Sequence, residues 1–132
     1  MSWRRIGTGL AMLVALGLAA CGLRGAEDTH AAEQQVRPDD ATLARGEASF
    51  RRNGCGACHH LATIAGARGV TGPPLDDLFE QVYIAGHLPN TPDHVAHFVE
   101  RPHEVDPATA MPSIGLSAEE ARAIAQFLLH PR

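Results

Sequence analysis

The chain contains no lysine; all eleven of its Lys or Arg positions are arginine. Set against fifteen Asp and Glu residues, they leave a formal charge of −4 with neutral histidines. This acidic balance argues against nucleic acid as a partner and against adhesion to anionic lipid by charge. A bilayer-spanning run is also missing: the longest apolar stretch, Ile6 to Ala20, has fifteen residues, whereas a spanning helix needs about twenty. Strand-like segments are nearly absent, with one short candidate at Val82 to Ala85, and no internal repeat is visible. What remains is a small, acidic, helical protein.

The apolar run has a different use. Arg4 and Arg5 precede it, and a basic segment followed by an apolar one is the layout of a secretory signal. A twin-arginine reading finds no support in Trp3 and Ile6-Gly7. The stretch Leu18-Ala19-Ala20-Cys21 resembles the lipobox of bacterial lipoproteins, which implies cleavage before Cys21 and a diacylglycerol on its sulfur. The alternative is ordinary cleavage near Ala20, leaving a secreted protein with a free thiol. With residues 1–20 removed, nine arginines face fifteen carboxylates, a charge of −6. Gly22 does not resemble the aspartate associated with inner-membrane retention, which points to the outer membrane.

Residues 21–39 are polar, charged and without sustained apolar period, and read as a flexible tether. The folded domain is placed at residues 40–132. Its fold class is all-α. A first helix is expected from about Asp40 to Asn53, capped by Asp39 or Asp40, with Leu43, Gly46, Glu47 and Phe50 at helical spacing and Gly54 as its end. A second is expected after the Thr91 cap and Pro92, burying Val95, Phe98 and Val99 and stopping before Pro102. A third opens at the capping box Ser117 to Glu120 and carries the stripe Ala121, Ile124, Ala125 and Leu128, with Phe127 beside it. About ninety residues bury only a small core, so a crosslink or a large apolar cofactor would add needed stability.

The chemistry is concentrated in "NGCGACHH", residues 53–60. A structural zinc site wants four ligands, and the second cysteine pair that would complete it is missing. A thioredoxin-like dithiol would follow a strand in a βαβ unit; here a helix comes first. Cys55-x-x-Cys58-His59 is the mark of c-type haem attachment, with both sulfurs reaching the vinyl groups and His59 an axial ligand. Export agrees, since c-type haem is attached outside the cytoplasm. A second axial ligand is then wanted, and methionine and histidine are the usual choices. After the signal is removed, Met111 is the single methionine, held extended by Pro112. His103, eight residues earlier, is its rival. His94 and His97 share a helix side and form a candidate accessory metal pair; His60, His87 and His130 are solvated candidates.

On these residues the domain resembles the class I cytochrome c family. Gly46 and Phe50 are similar to its helix-crossing glycine and aromatic, which makes Phe127 the implied partner on the last helix. Gly72-Pro73 resembles the family's Gly-Pro, and the resemblance implies that the Pro73 carbonyl accepts a hydrogen bond from His59. The segment from Tyr83 to Ser117 resembles soluble and oxidase-fused bacterial members, in which the Phe98 position is commonly a tryptophan bonded to a haem propionate. Phe98 cannot donate, and Tyr83 or an arginine is expected in its place.

The resulting expectation is a lipid-anchored, monohaem electron carrier on the periplasmic side of a bacterial membrane, monomeric, without catalytic residues, and exchanging electrons with redox partner proteins. One covalent haem c would be held by Cys55, Cys58, His59 and Met111. Lacking lysine, the protein has Arg51, Arg52 and Arg68 as local positive charge near the haem. Docking is expected through an apolar rim or through acidic patches on a basic partner. Competing readings are a permanently docked haem subunit of a larger oxidoreductase, a gas-sensing or peroxidatic haem protein, and a zinc-binding lipoprotein.

Overall fold

The computed structural model describes residues 37–131. The expected signal, the Cys21 lipidation site and residues 21–36 of the tether lie outside them. Four α-helices carry the domain: α1 (Asp40–Arg52), α2 (Pro92–Glu100), α3 (Pro102–Val105) and α4 (Ala118–Leu129). Single 3-10 turns occupy Cys55–Ala57 and Leu78–Glu80, and a two-stranded hairpin pairs β1 (Tyr83–Ile84) antiparallel to β2 (Leu88–Pro89). The fold is all-α, with the hairpin as its only sheet among the described residues.

Each long helix starts where a side chain replaces a missing backbone acceptor. Asp39 Oδ1 accepts from the Thr42 amide at 2.7 Å, and the Thr42 hydroxyl together with this amide holds its carboxyl below the usual range. Thr91 Oγ accepts from the His94 amide at 3.3 Å, with Pro92 in the first turn. Ser117 and Glu120 form a complete capping box. At the other end of α1, Gly54 takes a left-handed φ of 71° and turns the chain into the cysteine segment.

Two departures from the sequence reading stand out. In α2 the buried residues are Val95, Ala96 and Val99, while Phe98 is half-buried at the edge of the core. Val95 and Val99 are one turn apart and Ala96 lies between them, so the narrow stripe that meets α4 runs through the alanine. The chain also resumes helical form after Arg101, because Pro102 occupies the first position of α3 and loses nothing by lacking an amide hydrogen there.

The core is where α1 and α2 both pack on α4. Leu43, Phe50, Ala121, Ile124 and Ala125 are almost fully buried. Phe50 and Phe127 meet edge to face with ring centroids 6.1 Å apart. This approach depends on Gly46: a Cβ there would lie 2.1 Å from the Ala123 carbonyl oxygen and 2.6 Å from Phe127 Cβ. No helix among the described residues is long and apolar enough to cross a membrane.

One ion pair ties the end of α1 to the start of α4. Arg52 donates to Glu120 at 2.7 Å. With the Ser117 amide it holds the Glu120 carboxyl at about 2, well under its ordinary 4.5. A carboxylate with a lowered folded-state pKa stabilises the fold above the unfolded value and loses that contribution as pH falls through the folded one.

Two outcomes are expected. Gly46→Ala forces the α1–α4 crossing apart and costs about 2–3 kcal/mol, measured by chemical denaturation. Between pH 4.5 and pH 2 the parent loses more stability than Glu120→Gln, and the two curves converge below that range. The glutamine keeps the capping box and removes the charge, so a constant offset at every pH would assign the effect to something other than the ion pair.

Candidate functional site

The segment Cys55 to His59 is one helical turn whose geometry is set by a single carbonyl. Cys55 O accepts from the Cys58 amide at 3.2 Å and from the His59 amide at 3.0 Å. Residues at i, i+3 and i+4 share a face of such a turn. Cys55, Cys58 and His59 therefore stand on one side of it. Both cysteines are free thiols, Cys55 half-buried and Cys58 exposed. Burial pushes the Cys55 thiol above its usual pKa and keeps its sulfur neutral.

A loop from Gly66 to Leu75 closes around this turn. Gly69 N bonds Gly56 O at 3.1 Å, Gly72 N bonds Cys58 O at 2.8 Å, and Leu75 N bonds His60 O at 2.9 Å. Gly72 lies flat against the imidazole of His59, where a Cβ would come within 2.4 Å of Cε1. Next to it, Pro73 O is 2.8 Å from His59 Nδ1. A carbonyl only accepts, so Nδ1 carries the proton and Nε2 is the nitrogen with a free lone pair.

A second brace was not legible in the sequence. Asp76 accepts from the Ala62 amide at 2.7 Å and meets His60 Nδ1 at 2.6 Å. These bonds, led by the Ala62 amide, hold its carboxyl below the usual range. The pair ties the residue after His59 to the loop that carries Pro73. Its members are sixteen positions apart, too far for any local sequence signal.

Met111 lies in a segment of contrasting construction. It is half-buried and packs against the same core as Cys55, Leu75, Leu88 and Phe98. Its amide bonds Thr109 Oγ at 3.3 Å. From Ala110 to Leu116, no backbone group bonds another backbone group among the described residues. His103 is exposed on α3, with Nδ1 3.5 Å from Ser113 Oγ. His94 is taken by Pro89 O at 2.9 Å and His97 by Glu104 at 3.2 Å. No three His, Cys, Asp or Glu side chains come together to hold a metal ion among the described residues.

The arginines divide. Arg51 bonds Glu47 and Ala65 O, and Arg52 bonds Glu120, while Arg68 is exposed and its side chain makes no hydrogen bond or ion pair among the described residues. Tyr83 is 59% exposed and its hydroxyl has no partner among them.

The donor set fits a covalently attached haem. Two unpaired sulfurs and an imidazole with its distal nitrogen free share one face, and a thioether packs into the same apolar core. No curated protein and no solved structure matches the chain. The family model "Cytochrome c" matches residues 43–131, a span that runs from the first turn of α1 to the end of α4 and takes in the cysteine turn, its closing loop and Met111. The chain belongs to the cytochrome c family, proteins that carry covalently bound haem and transfer electrons.

Proposed function

We propose that this protein is a monohaem, outer-sphere electron carrier, exported and held by a lipid on Cys21 at the periplasmic side of a bacterial membrane, the outer one on the evidence of Gly22. The observation that carries the redox part is the turn Cys55–His59 with its fixed imidazole tautomer. Export and lipidation rest on the sequence of residues 1–22 alone.

In this reading Cys55 and Cys58 would hold the haem as thioethers, and His59 through Nε2 and Met111 through its sulfur would be its protein ligands. When bound, the haem would supply one-electron chemistry. The residues of the chain do the rest. Pro73 keeps the His59 proton on Nδ1 and raises the basicity of the ligating nitrogen. Gly72 lets the backbone lie against the ring, and His60 with Asp76 keeps the loop in place. Met111, a soft thioether, favours the reduced state and raises the potential. With Arg51 and Arg52 committed elsewhere, Tyr83 or Arg68 is the donor we assign to a propionate in place of the indole that Phe98 lacks.

Met111 is preferred to His103 because it is packed into the core, whereas His103 is solvent-exposed. One Cys-x-x-Cys-His in the sequence means one haem. The partners are redox proteins, donor and acceptor, met by a monomer.

The test is an optical redox titration of Met111→Ala beside the parent, both made in an export-competent, haem-maturing host. The parent is expected to show a Soret band and the weak band at the red edge of the visible spectrum that Fe(III)–Met gives. Met111→Ala keeps the Soret band, loses the red band, and falls in potential by roughly 0.1–0.3 V, a fraction of the roughly 0.8 V that axial ligands span. An unchanged red band and potential would remove Met111 from the site. A parent without Soret absorption would end the haem reading.

A further inference from the structure

Between Arg68 and Arg101 the sequence has no arginine or lysine and five carboxylates. Two of the five are engaged, Asp76 by His60 and Ala62 and Glu100 by Arg101. Asp77, Glu80 and Asp93 are exposed and have no cationic partner among the described residues.

The same stretch holds four exposed large apolar side chains, Val70 and Tyr83 among them, and two of these stand beside the unpaired carboxylates in sequence. Phe79 is 41% exposed and Val82 74%. Both remain exposed, although Leu78 and Ile84 nearby are buried in the core. Apolar surface rimmed by unpaired carboxylates is the composition of a protein-docking site.

The strip is also preformed. Asn90 Nδ2 donates to Leu78 O at 2.6 Å and to Gln81 O at 2.9 Å, and Asn90 N donates to Val82 O at 2.9 Å. One residue, by its side-chain and backbone amides, thereby ties the 3-10 turn Leu78–Glu80 and the base of the hairpin to the segment that leads into α2, where Asp93 sits. A surface held rigid before contact gives up less side-chain and loop entropy on binding.

We propose that Asp77, Phe79, Glu80, Val82 and Asp93 form the docking surface for a basic redox protein, one that presents arginine or lysine around an apolar centre. Charge complementarity selects this occupant. The strip offers three unpaired negative charges and no positive one, so it repels an acidic partner, an anionic membrane and a second copy of itself. Phe79 and Val82 supply the contact that persists once charge has steered the encounter. The proposal deepens the carrier reading and rests on it.

The test uses the haem-loaded chain and, as a basic probe with an apolar centre, a lysine-ringed mitochondrial-type cytochrome c. Association is followed by NMR shift perturbation and calorimetry at low and at moderate salt. The expected result is weak binding at low salt with perturbations centred on residues 77–82 and 93, reduced about tenfold or more at 0.2 M salt. Glu80→Gln weakens it about threefold to tenfold. Glu47→Gln, the same charge change on α1, alters it by less than twofold. Val82→Ser weakens it at both salt concentrations.

No association at low salt, perturbations centred elsewhere, or equal effects of Glu80→Gln and Glu47→Gln would overturn the proposal. Self-association that buries the strip, seen by sedimentation, would overturn it too, by making a second copy the occupant. The two levels separate by colour. A failed docking test with an intact, reducible Soret band rejects the surface alone, whereas a missing band rejects the carrier reading.

Discussion

The bifurcated acceptance of two amides by the Cys55 carbonyl is the constraint on which the rest of the domain turns. It makes five residues into one helical turn and so fixes three side chains on one face without help from a long helix. Such a turn is too short to hold itself together, because nucleating a turn costs more than its few bonds return. The surrounding structure supplies what it lacks. Helix α1 delivers the chain to Gly54, the α1–α4 crossing at Gly46 anchors α1, and the loop from Gly66 to Leu75 clamps the far side through Gly56, Cys58 and His60.

The core is correspondingly economical. Its buried side chains are mostly alanine, leucine, isoleucine and valine, with one fully buried phenylalanine. Several apolar groups packed against it stop at half burial: Cys55, Leu75, Leu88, Phe98, Met111, Phe127 and Leu129. In a domain of this length the apolar surface removed from water is small relative to the entropy lost on folding. A flat apolar cofactor covering some of these groups would extend the core without extending the chain. Covalent attachment and folding then support one another.

The long helices were legible in the sequence because their signals are local. Asp39, Thr91-Pro92 and Ser117 to Glu120 are caps written within four residues, and the stripe of α4 is a simple period. The Cys-x-x-Cys-His spacing is local as well. What was not legible was set by contacts across the chain. Apolar spacing puts Phe98 in the core because it does not say which edge of a helix meets its neighbour. The helix that opens at Pro102 has no local mark of its own, since a proline ends one helix as readily as it begins another. The His60–Asp76–Ala62 brace and the Asn90 rivet join segments nine to sixteen positions apart, and nothing in either segment alone announces the other.

The two sides of the site are built to different standards. His59 is held by a backbone bond to its amide and by Pro73 O at its ring, whereas the segment from Ala110 to Leu116 makes no backbone–backbone bond among the described residues and is pinned by the Thr109 hydroxyl on the Met111 amide, by the half-burial of Met111 and by the burial of Leu116. Under the proposed ligation, sulfur coordination therefore does double duty as the clasp of an otherwise loosely stitched strap. Evolution can retune such a carrier by editing Thr109, just before the strap, or Leu116, its buried end, while the imidazole side is left untouched.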